Sequence, residues 1–90
     1  MDEFEFETAI EARKVLGAMG DRMYKSECTR FKRDLWTLYE NISGMISELA
    51  SLEVKARQTK NPRKIPDQRK KIQDAMVYLD KLILIQILMQ

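Results

Sequence analysis

The absence of histidine and the presence of one cysteine set the chemical limits of this chain. Without His it lacks the commonest general base near neutral pH and the usual nitrogen ligand of zinc. The lone thiol, Cys28, can form no intramolecular disulfide, and with no imidazole to deprotonate it the reading is a small buried hydrophobe rather than a nucleophile. Glu3, Glu5 and Glu7 gather carboxylates at two-residue spacing, but a metal would need further ligands that no spacing here supplies, so they read as charges at a helix start. No glycine-rich phosphate loop exists. The sequence thus predicts a protein that is not an enzyme, with no catalytic residues, no cofactor and no metal site.

What these residues can do is bind. Between positions 55 and 71, eight bases (Lys55, Arg57, Lys60, Arg63, Lys64, Arg69, Lys70 and Lys71) stand against Asp67 alone, a net +7 in seventeen residues. Positive charge concentrated at an exposed turn attracts phosphates or an acidic protein. The plainer alternative is a solvated turn whose bases complement the negative end of the preceding helix dipole. A second basic group, Lys25, Arg30, Lys32 and Arg33, precedes Trp36, and on a helix Lys32, Arg33 and Trp36 are neighbours. An indole there either stacks on a nucleobase or anchors an interface, or else packs beneath a neighbouring helix. Glu27, Asp34 and Glu40 interrupt this group. The Met residues read as core filler, with an adaptable groove at Met19, Met23 and Met45 as the competing role.

Helices must position these side chains. Three Gly and two Pro in 90 residues, with 44% hydrophobic and 33% charged, describe a chain that folds and favours helix. A first helix is predicted over about 3–18, with Asp2 and Glu5 as the capping pair, Phe6, Ala9, Ile10, Leu16 and Met19 on one face, and Gly17 and Gly20 weakening its end. From Tyr24 through Cys28, Phe31, Leu35, Leu38, Ile42, Met45, Leu49 and Leu52 to Ala56, apolar residues recur at four-three steps. That pattern predicts one long helix over about 24–60. Pro62 ends it, a basic turn spans 61–66, and Pro66-Asp67 opens a third helix over about 67–89. In that helix Ile72, Met76, Leu79 and Ile83 carry the rhythm, while Leu82, Leu84, Ile85, Ile87 and Leu88 make the last turns apolar nearly all round. Such an end must be buried on more than one side, and the run is far short of the ~20 residues that span a membrane.

The expected architecture is therefore all-α, a single domain over 1–90: a helical hairpin with one long central helix. A helix near 36 residues would be about 54 Å long, whereas a compact globule of this size is roughly 25 to 30 Å across. One chain could not cover such a seam, so Phe31, Leu35, Leu38, Ile42, Met45, Leu49 and Leu52 are expected to line a homodimer, either a dimeric bundle or a coiled-coil-like assembly. With Leu35, Ile42 and Leu49 at heptad position a, the e positions include Tyr39 and Ile46, which favours a bundle of four or more helices over a two-stranded zipper.

Overall charge, +2, names no partner. Five acids against two bases in residues 1–20 are the reverse of a signal peptide's cationic start, so a cytoplasmic setting is expected. The functional expectation is a non-enzymatic module that binds a protein, acidic partners included, as an adaptor, chaperone-like or regulatory dimer. The alternative is a helical dimer that grips RNA or DNA phosphates through segment 55–71. A dimer of helical hairpins resembles in architecture the double-stranded-RNA-binding silencing suppressors of insect nodaviruses, and that resemblance implies a duplex lying along the long helix. From Leu35 to Val54, however, there is no Lys or Arg, and a duplex would meet Glu40, Glu48 and Glu53. Protein binding is the leading expectation.

Overall fold

The computed structural model describes residues 4–25, 32–56 and 64–88. They form three α-helices, α1 (Ala9–Lys25), α2 (Lys32–Ala56) and α3 (Lys64–Leu88), with no strand among the described residues. The all-α expectation therefore holds.

Local chemistry sets the start of α1. Thr8 is its N-cap: the Thr8 carbonyl accepts the first helical bond from Ala12 N–H at 3.0 Å, and its Oγ1 accepts from Glu11 N–H at 3.3 Å. Glu11 Oε2 in turn accepts from Glu7 N–H at 3.2 Å, one residue before the usual capping-box donor. A second carboxylate arrives from α2, where Glu53 Oε2 accepts the Ala9 N–H at 3.0 Å. Negative charge at the positive end of a helix dipole stabilises it. The helix thus begins at Ala9 rather than near residue 3, and Phe4 and Phe6 turn inward ahead of it. At its other end α1 does not stop at Gly17 or Gly20 but continues to Lys25. Gly20 serves a contact instead: a Cβ there would lie 2.9 Å from Tyr39 Cε2, so the missing side chain is what admits the ring.

The chain then reverses twice. Ala9 meets Glu53, Arg13 donates to Ser47 Oγ at 2.7 Å and Ser43 Oγ at 3.3 Å, and Gly20 meets Tyr39, an order that makes α2 antiparallel to α1. On the other flank Gln68 Nε2 of α3 donates to the Met45 carbonyl at 3.0 Å and to Glu48 at 3.2 Å. Arg22 and Asp80 pair at 2.6 Å, and Phe6 shares a cleft with Pro66 and Arg69, so α3 runs parallel to α1. The result is an up-down-up bundle measuring 49 × 26 × 16 Å, with α2 packed against both other helices.

This arrangement corrects the single helix expected over 24–60. Tyr24 and Lys25 close α1, and α2 starts at Lys32 in the opposite direction. The four-three rhythm took in Tyr24, which is exposed on α1, whereas α1's own buried stripe, Ala12, Leu16, Met19 and Met23, is out of phase with Leu35, Ile42 and Leu49, so the spacing alone did not report continuity. The basic turn also shortens, since Lys64, Ile65 and Pro66 already belong to the first turn of α3, where a proline lacks no needed donor.

The length argument for a dimer seam on α2 falls with the long helix. α2 has 25 residues, as does α3, about 37 Å each. Leu35, Ile42 and Leu49 are buried inside this one chain. The row Leu38, Met45 and Leu52 is half-buried on the side that receives Gln68 of α3, while Tyr39, Ile46 and Glu53 lie on the side of α1. The broad stripe that suggested four helices is met by two neighbours from the same chain. Ile72, Met76, Leu79 and Ile83 supply the facing stripe of α3, and each such side chain fully buried contributes roughly 1.5–3 kcal/mol. Phe31 and Cys28 lie outside the described residues.

Candidate interaction surface

The two basic groups do not meet. Lys25, Lys32 and Arg33 stand at one end of the bundle, and Lys55, Lys64, Arg69, Lys70 and Lys71 at the other, with Lys32 and Lys55 separated by about 35 Å along α2. Arg30, Arg57, Lys60 and Arg63 lie outside the described residues. At the lower end Lys64, Lys70 and Lys71 are exposed and Arg69 is half-buried. Successive residues step about 100° around a helix, so Arg69, Lys70 and Lys71 fan out rather than forming one charged face. Arg69 and Lys70 line a shallow cleft together with Phe6, Gln73 and Asp74. Phe6 and Gln73 also border the adjoining cleft, whose other walls are Glu5, Glu7 and Glu11. Positive charge at this end therefore sits beside carboxylates, and its field is partly cancelled.

At the upper end Trp36 takes the packing role. It is half-buried and meets Tyr39 edge-on, ring centroids 5.1 Å apart at 65°, while Tyr39 lies on Gly20. The indole thereby braces Tyr39, and it is the Tyr39 ring that meets α1. Met19 and Met23 are buried and Met45 packs against the same core, so these three fill space and line no groove. Glu5 and Glu7 precede α1 rather than opening its first turn.

One surface stands apart, and it lies where burial was expected. The end of α3 was predicted to be covered on more than one side. Ile83 and Gln86 do point into the bundle, but Leu84 is 46% exposed, Ile85 50%, Leu88 83% and, about two turns before Ile85 on α3, Tyr78 is 58% exposed. Tyr78, Lys81, Ile85 and Leu88 follow one another at three-four steps, so they share one face of α3, with Leu84 beside them and half-buried Val77 on its flank. The C-terminal half of α3 thus has two apolar faces, one against the core and one turned outward. The all-round apolar character was legible in the sequence; which of the two faces the chain itself covers depends on where α1 and α2 lie.

Among the described residues no three His, Cys, Asp or Glu side chains are grouped to hold a metal ion, and no helix is long and apolar enough to cross a membrane. Comparison with protein-family models, with curated proteins and with solved structures finds no match.

Proposed function

We propose that this chain is a non-enzymatic interaction module that binds protein through the outer face of α3's C-terminal half and works as a homodimer. The observation that carries this reading is the exposure of Tyr78, Leu84, Ile85 and Leu88 together on a helix whose opposite face is buried. Single exposed aliphatics are ordinary, whereas neighbouring ones on one face mark an interaction surface. Leaving Leu84, Ile85 and Leu88 in water forgoes part of the roughly 1.5–3 kcal/mol that burial of each would bring, and a bound partner recovers it. The dimeric bundle expected from the sequence belongs to this proposal, moved from the α2 seam to α3. Adaptor, chaperone-like and regulatory roles all fit such a module, and a cytoplasmic setting suits its lone cysteine.

The exposure of Lys64, Lys70 and Lys71 supports a second reading, contact with RNA or DNA phosphates. It ranks behind because the basic groups sit at opposite ends of the bundle and acids adjoin the larger one.

The test is a Leu84→Ser, Ile85→Ser, Leu88→Ser chain examined by circular dichroism and sedimentation equilibrium. Unchanged helicity with loss of self-association is the expected result. A wild type that remains monomeric at high micromolar concentration, or a triple variant that associates as wild type does, contradicts the proposal.

A further inference from the structure

The geometry points to a second copy of this chain as the occupant of the α3 face, docked α3 to α3 in antiparallel sense, with Asp74 of each copy opposite Lys81 of the other. This inference rests on reading that face as a docking surface, and it adds the partner's orientation and the residues that set it.

Exposed apolar side chains are the first argument: Tyr78, Leu84, Ile85 and Leu88 are 58%, 46%, 50% and 83% exposed on one face. A standard interface takes roughly 800 Å² from each partner. α3 has the length for it, 25 residues or about 37 Å, and Lys71, Asp74, Tyr78, Lys81, Ile85 and Leu88 are exposed along it.

Charge fixes the direction. On that face Asp74 and Lys81 are separated by seven residues, two helical turns, and between them sit Val77 and Tyr78. A parallel pair would set Asp74 against Asp74 and Lys81 against Lys81, like charges at close range. Antiparallel pairing about a twofold axis between Val77 and Tyr78 sets Asp74 against Lys81 twice, and the two central residues pack on each other. The same register lays Ile85 and Leu84 over the aliphatic stems of Lys70 and Lys71 of the other copy, whose ammonium groups extend outward to water. An isologous contact of this kind closes on itself and covers Leu84 and Ile85 of both copies at once, with Leu88 of each beside Asp67 of the other. Charge pairs of this kind have a known use in setting register.

The experiment is charge reversal, read as dimer dissociation constant by sedimentation with helicity as the control. Asp74→Lys and Lys81→Asp should each weaken dimerisation by about tenfold or more, because each turns two attractive pairs into two repulsive ones. The double reversal in one chain should restore it, as should mixing the two single variants. Neutral single reversals in a chain that still dimerises, and that the Leu84, Ile85, Leu88 serine variant dissociates, would overturn the antiparallel pairing while leaving the face as the docking surface. A serine variant that dimerises normally would overturn the face itself. A monomeric wild type that binds vesicles of anionic phospholipid would overturn the second copy as occupant.

Discussion

Gly17, Gly20 and Gly44 are one residue type with two structural roles. A Cβ at Gly17 or Gly44 meets nothing within 4 Å, whereas one at Gly20 meets the Tyr39 ring at 2.9 Å. All three lie inside helices, where Ala is favoured over Gly by about 1 kcal/mol. Gly17→Ala and Gly44→Ala should therefore each stabilise the fold by about 0.5–1 kcal/mol in urea unfolding, and Gly20→Ala should lose that gain or reverse it as Tyr39 is displaced from its contact with Trp36. Glu53→Ala should cost about 1 kcal/mol by removing the carboxylate from the start of α1. Gly20 read as a helix stop because glycine favours helix ends, and a tertiary neighbour leaves no local trace. The Thr8-x-x-Glu11 pair was written in the sequence, but Asp2 and Glu5 offer the same spacing earlier, and only the inward turn of Phe4 and Phe6 decides between them. Of the candidate binding residues, the sequence named the bases and missed Leu84, Ile85 and Leu88, since a hydropathy pattern carries no record of which face lacks a neighbour.

The helices themselves were legible as apolar stripes, and their breaks were not. Apolar residues at four-three steps link Tyr24 to Leu35 in the sequence, so pattern alone extended one helix across the reversal from α1 to α2, although α1's buried stripe, Leu16, Met19 and Met23, lies on another face. Tyr24, taken as the first seam residue, is exposed on α1, and Ala56, taken as the last, is exposed at the end of α2. The stripe width was the better guide, because Tyr39 and Ile46 at position e require a second neighbour. In a two-stranded zipper Ile46 would be peripheral, whereas here it is buried as completely as Ile42. Ile42→Ala and Ile46→Ala should accordingly destabilise by similar amounts, about 2–5 kcal/mol each in chemical denaturation. A loss below 1 kcal/mol at Ile46 beside a large one at Ile42 would contradict the three-helix core. Arg22→Ala should cost less than about 1 kcal/mol, because its pair with Asp80 is partly open to solvent.

At the scale of the whole molecule, one chain buries Leu35, Ile42 and Leu49 of α2 but leaves the second face of α3 in water, and the functional proposal depends on that difference. Scattered charge gives the competing reading a measurable consequence: RNA or DNA titrated at physiological salt should bind weakly, and affinity at low salt should fall steeply as salt rises. Submicromolar duplex binding at physiological salt would instead favour phosphate contact as the main function. The most direct test of the central claim is solution mass across a concentration series, by sedimentation equilibrium, at physiological salt. The account predicts a reversible approach to twice the 10.6 kDa of one chain as concentration rises; a mass of one chain held through the highest micromolar concentrations would contradict it.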